Sequence, residues 1–259
     1  MASPSRPNSM KLIDAILQKQ ESQLIPIIAE IKRCIPSVPK KSMKDQRSAA
    51  FLAKQYELGG ACGISIVCEK KHFGGQPELD IPTVLEATKL PILIKDFIST
   101  KEQVRRYKNI CPRSKNFSKY HVSLLLIAHH LKNKLQDIAE YCYKEGLYPF
   151  VEIKNIKDLD YIVGLALNTF LVGFNNRDID KLETRENKTI FSADIISHLR
   201  SIYKGVVVSE SGHKTIKDVL QSIKAGADAV LIGQAIMLAK NPSRKVHSFV
   251  FAKERGRFI

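Results

Sequence analysis

The stretch GVVVSESGHKTIKDVLQSIKAGADAVLIG, residues 205–233, contains a complete repeating unit of the fold. It opens with a short apolar run that predicts a strand, passes a Ser-Gly turn, and continues into a helical segment that ends at Gly226. Glycine is common directly after a helix, because it readily adopts the left-handed conformation found there. A second apolar run follows at 228–233. The unit is therefore strand, helix, strand, which is typical of neighbouring parallel strands.

Apolar runs of the same kind occur at eight places along the chain. They are PIIAEI (26–31), GISIV (63–67), PILIK (91–95), VSLLLI (122–127), YPFVEI (148–153), TFLVGF (169–174), GVVVSE (205–210) and DAVLIG (228–233). Continuous apolar character is typical of strands buried on both faces, as in a parallel sheet covered by helices. Eight such units in about 230 residues favour a closed (β/α)8 barrel, the TIM barrel of the α/β class, over an open doubly wound sheet.

The segments between the strands show helical spacing, most clearly at 48–60, 133–146, 156–167 and 213–226. We expect a single barrel domain over residues 10–259, preceded at 1–9 by a disordered leader or a cloning remnant. The stretch KNICPRSKNFSKYH, residues 108–121, falls where a short turn is expected and is polar and irregular. We interpret it as a surface insertion.

Hydrophobic residues make up 44% of the 259, enough for one large core. The cysteines and the polar N-terminus, which has no apolar signal segment, indicate a cytoplasmic protein. The five cysteines (Cys34, Cys62, Cys68, Cys111 and Cys142) form no CxxC pair and show no zinc-binding spacing. We therefore expect reduced thiols. No stretch approaches the roughly 18 apolar residues that a membrane span requires, so no membrane partner is expected.

The formal net charge of +15 points to an anionic partner. Nucleic acid and small phosphorylated or carboxylated substrates are the two candidates. Lysine and arginine are spread along the whole chain, which favours solvated helix faces and a small substrate over specific nucleic-acid binding. We expect a monomer or a weak homodimer.

Polar residues occur where the predicted strands end: Glu30, Lys32, Lys95, Asp96, Glu152, Asn175, Arg177, Glu210 and Ser211. In a barrel these positions share one mouth, where catalytic groups are found. Any one of them could simply meet solvent, but five strands ending in this way favour a site. Glu30 and Lys32 are two apart, so both side chains point inward if Ile31 packs outward. Burial lowers the proton affinity of a lysine and a neighbouring carboxylate restores it, so Lys32 or Lys95 suits general-acid work, with Glu152 as the base.

The loops after the last two strands predict a phosphate site. Ser211-Gly212 and Gly233-Gln234 place backbone amides where barrels often hold phosphate, with residues 234–239 as a possible short helix behind them. Phe73 and Phe97 are candidates for core packing or for an aromatic wall. His129 and His130 have no carboxylate or third histidine at ligand spacing, so we expect no metal site.

In sequence order, IIAEIKR (27–33), YELGGACGISIV (56–67), KHFGG (71–75), PILIKDFI (91–98), VGFNNRDID (172–180), VSESG (208–212) and LIGQAIM (231–237) resemble the indole-3-glycerol-phosphate synthase family. The resemblance runs over roughly residues 10–250. It implies closure of the ring of 1-(2-carboxyphenylamino)-1-deoxyribulose 5-phosphate, with loss of carbon dioxide and water and without a cofactor.

The resemblance also implies roles for the residues at the strand ends. Lys95 corresponds to the general acid and Glu152 to the base, while Lys32 pairs with an anionic group of the substrate and Glu30 orients it. Binding is implied for Asn175, Arg177, Glu210 and Ser211, phosphate binding for Gly212, Gly233 and Gln234, and an apolar wall for Phe73, Phe97 and Leu125.

The chain departs from the family pattern at Ile35, Cys68, Gln234 and 108–121, and the stretch before the first strand predicts a shortened lid over the substrate ring. Two alternatives remain open at this point. One is a barrel that acts on a related aminodeoxyribulose phosphate, or on none. The other is a basic nucleic-acid-binding or assembly protein that would make contact through residues 108–119.

Overall fold

The computed structural model describes residues 10–36, 45–111, 121–163, 171–178, 180 and 193–252. Eight strands lie within these ranges: β1 Ile27–Ile31, β2 Gly63–Val67, β3 Ile92–Lys95, β4 Val122–Ile127, β5 Tyr148–Ile153, β6 Leu171–Asn175, β7 Val207–Glu210 and β8 Ala229–Ile232. Each begins and ends within two residues of a predicted strand. The strand predictions are therefore confirmed.

The strands form a closed parallel barrel in the order β1 to β8. Closure occurs between the first and last strands, where Ile27 pairs with Val230 and Ala29 with Ile232. All eight neighbouring pairs are parallel. The predicted (β/α)8 fold is confirmed, and all eight strands end at the same mouth.

The helices surround the barrel: α1 Leu12–Glu21, α2 Ala49–Leu58, α3 Pro77–Ala87, α4 Lys101–Ile110, α5 Ala128–Leu131, α6 Leu135–Glu145, α7 Asp160–Val163, α8 Ala193–Ile202, α9 Ile216–Lys224, α10 Gln234–Met237 and α11 Pro242–Val250. Short 3-10 turns occupy Lys132–Lys134 and Ile156–Leu159. Gly226, two residues beyond the end of α9, has the expected left-handed φ of 106°. No helix within the described ranges is long and apolar enough to cross a membrane.

The apolar core has two layers, because successive strand residues face opposite sides of the barrel wall. Outward-facing residues such as Ile31, Ile66 and Val151 pack against the helices. Inward-facing residues fill the barrel itself, among them Ile28, Leu93, Leu125, Phe150, Val208 and Leu231.

Helix α1 closes the amino end of the barrel. Its buried residues Leu12, Ala15 and Ile16 join the inner core layer, and Leu12 touches Gly63 at the start of β2. The resemblance suggested a shortened lid over the substrate before the first strand. Residues 12–21 instead cover the amino ends of the strands, opposite the mouth that carries the charged residues. Their apolar face packs against the inner core layer there.

The polar stretch at 108–121 begins inside a helix. Residues 108–110 are the last turn of α4, which buries Val104 and Tyr107 on its inner face. Lys108 suits that turn, since a positive charge is favourable at a helix C-terminus. Extending the predicted insertion to residues 108–110 was therefore wrong, and residues 112–120 lie outside the described ranges.

Candidate active site

The inward-facing positions at the carboxyl ends of the strands carry the charged residues. Ile31 packs outward in the outer core layer, and Glu30 and Lys32 on either side of it are 3% and 4% exposed. Their carboxylate Oε1 and ammonium Nζ lie 2.7 Å apart. The expected geometry of this pair is therefore present.

Lys95 lies at the centre of three carboxylates from three other strands. Its Nζ is 2.7 Å from Glu210 Oε2, 3.7 Å from Glu30 Oε2 and 3.7 Å from Glu152 Oε2. All three glutamates are at most 3% exposed. Such a cluster is stable only while the ammonium offsets the repulsion between the buried carboxylates.

These contacts set the protonation of the cluster. Burial alone would lower the pKa of Lys95, but Glu210, Glu30 and Glu152 raise it above its ordinary value. Burial also opposes ionisation of Glu30, yet Lys32 and Lys95 hold the pKa of Glu30 below its usual range. For Glu210 burial prevails over the attraction of Lys95 and raises the pKa to about 7. The cluster therefore combines a firmly charged lysine with a carboxyl group that can exchange a proton near neutral pH.

A cleft of about 840 Å³, partly open to solvent, lies above this cluster. Of the predicted site residues, all except Glu152 and Glu210 line it, and these two lie 3.7 Å and 2.7 Å from the Lys95 ammonium. The lining residues are Glu30, Lys32, Phe73, Lys95, Phe97, Leu125, Asn175, Arg177, Ser211, Gly212, Gly233 and Gln234. A cleft that combines apolar side chains with a few convergent polar groups is typical of a small-molecule site.

One side of the cleft is apolar. Phe73, Phe97 and Leu125 supply this wall, and the Lys32 ammonium lies 5.3 Å from the centre of the Phe73 ring. The loop that carries Phe73 is shaped by Glu69, whose carboxylate accepts backbone N–H groups of residues 71–73 at 2.7–3.1 Å. Glu69 also lines the cleft and was not predicted.

The opposite side is formed by the backbone after β7 and β8. Ser211 and Gly212 both have a left-handed conformation, with φ of 66° and 83°. A non-glycine residue in that region is strained and needs support from its surroundings. Gly233 has no room for a side chain, because an added Cβ would collide with the Glu30 carboxylate.

Asn176 supports this strained turn. It was not predicted from the sequence, although its neighbours Asn175 and Arg177 were. Its amide Nδ2 donates to the carbonyl oxygens of Glu210 at 2.8 Å and Ser211 at 3.2 Å, and to Ser209 Oγ at 3.1 Å. Asn175 Oδ1 accepts the backbone N–H of Arg177 at 3.1 Å. The loop after β6 therefore holds the loop after β7.

A buried polar network continues behind this turn. Ser209 Oγ, Ser222 Oγ and His213 Nε2 lie 2.8–3.3 Å from one another. Burial lowers the pKa of His213 to about 4, so its imidazole is neutral at physiological pH. A sequence signal existed, since Ser209 sits at an outward position of a strand covered by a helix and must find a partner there.

Asp180 lies against His129 and His130, with its Oδ1 3.4 Å and 2.7 Å from their respective Nε2 atoms. The reasoning that no carboxylate accompanies these histidines was therefore wrong. Asp180 follows β6, about fifty positions along the chain, so local spacing could not reveal it.

The fold and the cleft define a class, the (β/α)8-barrel enzymes that hold a small anionic ligand at the carboxyl ends of the strands. Within that class, the chain belongs to the indole-3-glycerol phosphate synthase family, whose sequence profile matches residues 2–249.

Individual relatives agree with this family assignment. The chain is 34% identical over 228 residues to the indole-3-glycerol phosphate synthase of Pyrococcus abyssi, covering 88% of this chain and 92% of the relative. The synthase of Pyrococcus furiosus is 33% identical with the same coverage. Among solved structures, an N-acetylmannosamine-6-phosphate 2-epimerase from Clostridium perfringens has a TM-score of 0.60 at 14% identity, covering 100% of both chains. At that identity the structural likeness supports the fold alone.

Proposed function

We propose that this protein is an indole-3-glycerol phosphate synthase acting on 1-(2-carboxyphenylamino)-1-deoxyribulose 5-phosphate. The reaction joins the ring carbon that bears the carboxylate to the ketone carbon of the ribulose chain, and it releases one carbon dioxide and one water. The observation that carries the proposal is the Lys95 ammonium within 3.7 Å of three buried carboxylates at the barrel mouth. Family membership supplies the substrate class.

Lys95 is the proton donor for ring closure. Its ammonium gives a proton to the ketone oxygen as the ring carbon attacks, so the oxygen becomes a hydroxyl. The carboxylate then leaves as carbon dioxide, and its bonding electron pair restores the aromatic ring. A positioned charge in a buried cluster stabilises the negative charge that develops on the oxygen more strongly than water does.

Glu152 is the base for the dehydration. The new hydroxyl takes a proton from the Lys32 ammonium, which also lines the cleft, and leaves as water. Glu152 accepts the proton that the methylene carbon beside the nitrogen loses, and the indole double bond forms. Both carboxylate oxygens of Glu152 are buried without a hydrogen-bond partner among the described residues, and Lys95 Nζ lies 3.7 Å away. A carboxylate oxygen that is not already committed to a hydrogen bond with a described residue can accept the substrate's proton directly.

The two sides of the cleft bind the two anionic ends of the substrate. Lys32 and Arg177 face the carboxylate, and the backbone amides of Gly212, Gly233 and Gln234 hold the phosphate. The remaining groups orient the molecule: Glu30, Asn175, Glu210 and Ser211 through the hydroxyls, and Phe73, Phe97 and Leu125 through the aromatic ring. The reaction as written needs no cofactor, and no specific nucleic-acid partner is expected.

The test is turnover of the carboxyphenylamino substrate, followed by the fluorescence of the indole product. We expect product from the wild-type protein and a fall of about 10²- to 10⁴-fold for Lys95→Ala, the range typical of general acid–base groups. Lys89→Ala, at an exposed lysine outside the cleft, is the matched control and should keep wild-type turnover.

Two results would count against the proposal. If folded wild-type protein makes no indole product but turns over a related aminodeoxyribulose phosphate, the proposed substrate is wrong. Near-normal turnover by Lys95→Ala would remove the acid role from Lys95 while leaving the substrate intact.

A further inference from the structure

Two histidines and an aspartate from different loops meet at the rim of the barrel mouth, outside the cleft. His129 and His130 belong to α5, directly after β4, and Asp180 lies beyond β6. One possible ligand atom from each residue falls within 4.8 Å of the other two. None of the three lines the cleft, although the His130 ring lies 5.7 Å from the ring of Phe97, which does.

We propose that His129, His130 and Asp180 bind one divalent transition-metal ion of the zinc type, with water at the fourth position. Two imidazole nitrogens and one carboxylate oxygen form a set that zinc accepts, whereas calcium and magnesium prefer oxygen ligands alone. Ligand atoms on a tetrahedral zinc ion lie about 3.3 Å apart, as follows from the usual bond lengths. The two imidazole nitrogens lie 3.4 Å and 2.7 Å from Asp180 Oδ1, on either side of that spacing, and all three ligand atoms fall within 4.8 Å of one another.

The second ring nitrogen of His129 supports the assignment. His129 Nδ1 is buried and has no hydrogen-bond partner among the described residues, yet it lies 3.7 Å from the carboxylate Oδ2 of Asp158. Asp158 is itself 3% exposed. Metal-binding histidines commonly have a carboxylate at their other nitrogen, which fixes the ring orientation and increases the basicity of the ligand. The fixed position of Asp158 therefore favours Nε2 of His129 as the metal ligand.

Lys154 is the competitor for the site. Its Nζ lies 2.5 Å from Asp180 Oδ2 and 3.2 Å from Asp178 Oδ1. The lysine thus binds Oδ2 of Asp180, while His130 faces Oδ1 and His129 Nε2 lies at nearly equal distances from both oxygens, 3.4 Å and 3.3 Å. Oδ1 is the oxygen left for the ion. A nearby positive charge repels the ion, so removing the Lys154 ammonium should tighten binding.

The ion would link the loop after β4 to the loop after β6, which also carries Arg177. Its place outside the cleft assigns it a stabilising role rather than a part in the chemistry. Stabilisation follows by mass action, because an ion bound by the folded state alone raises the unfolding temperature.

The experiment is a zinc titration of the chelator-stripped, full-length protein in reducing buffer, in competition with a chromogenic chelator. We expect one zinc ion per chain. His130→Ala, at a one-third-exposed side chain, should weaken binding by at least about 10-fold, the lower end of the loss on removing even a residue that only supports a metal ligand. Lys154→Met should tighten binding several-fold, and His198→Ala, at an exposed histidine elsewhere, should leave it unchanged.

Thermal unfolding gives a second readout. Zinc should raise the unfolding temperature of the wild-type protein and leave that of His130→Ala where it was. The proposal is overturned if stripped wild-type protein binds no zinc or if His130→Ala binds it as well as wild type. It is also overturned if binding is lost in Cys34→Ser, because that variant removes a free thiol outside the proposed site.

Discussion

The inward-facing strand positions carry different kinds of residue at the two ends of the barrel. At the amino end these positions are apolar, and Leu12 and Ile16 of α1 complete the packing. At the carboxyl end they carry the buried carboxylates Glu30 and Glu152 and the mostly buried ammonium of Lys95. Apolar burial stabilises the fold, whereas buried charges seldom repay their desolvation. Substitutions at the amino end should therefore change stability, and substitutions at the carboxyl end should change turnover or binding.

Leu12→Ala should have the largest effect on stability. Leu12 is fully buried, and its truncation leaves a cavity that costs about 2–5 kcal/mol of unfolding free energy. Chemical denaturation would measure the loss, and kcat under folded conditions should stay at the wild-type value. Leu17→Ala on the same helix, at a 43% exposed side chain, is the matched control and should be nearly neutral. A fall in kcat for folded Leu12→Ala would contradict the separation of stability at the amino end from activity at the carboxyl end.

His213 tests whether buried polar groups at the carboxyl end also affect stability. Burial lowers the pKa of His213 to about 4. As the pH falls below about 6.5, the unfolded chain therefore binds a proton on His213, whereas the folded protein binds one only near pH 4. Its contribution is therefore present above pH 6.5 and is lost as the pH falls towards 4, by about 3 kcal/mol in all.

The measurement is the unfolding free energy of wild type and His213→Gln between pH 6.5 and 4. The variant should lose less stability over this window than wild type. His247→Gln, at an exposed histidine, should keep the wild-type slope. Equal slopes in all three proteins would show that His213 titrates normally.

Asn176→Ala should have the smallest effect and should separate binding from chemistry. Its amide holds the carbonyl of Ser211, whose left-handed conformation is strained. Without that support the turn relaxes away from the phosphate, and KM should rise by about 10-fold, equivalent to about 1.4 kcal/mol. Steady-state kinetics should show a nearly unchanged kcat, with Asn133→Ala, at an exposed asparagine, as control. A fall in kcat at constant KM would instead place Asn176 in the chemistry.

The fold was predictable from sequence because the parallel strands are buried on both faces and so appear as continuous apolar runs. Alternation along a strand was equally informative, since Ile31 between Glu30 and Lys32 fixed which side chains point inward. The position of α1 was not predictable, because an amphipathic helix before the first strand can cover either end. Residues 108–110 were misjudged because α4 is polar on its solvent face and ends without a glycine.

Most of the candidate site was visible because strand ends meet at one mouth whatever their separation in sequence. The missed contacts join loops that only the closed barrel brings together. Asp180 reaches His130 across fifty residues, and Asn176 reaches Ser211 across thirty-five. No spacing rule covers such pairs. The functional roles of the site residues stay predictions.

Glu152→Gln tests the central claim most directly, because it removes one buried charge and changes almost nothing in shape. Both carboxylate oxygens of Glu152 lack a hydrogen-bond partner among the described residues, so their charge costs stability. We predict a fall in kcat of at least about 100-fold, as for a general base, with an unfolding free energy equal to or above that of wild type. Turnover within a few-fold of wild type, or a loss of stability alongside the loss of turnover, would contradict the account.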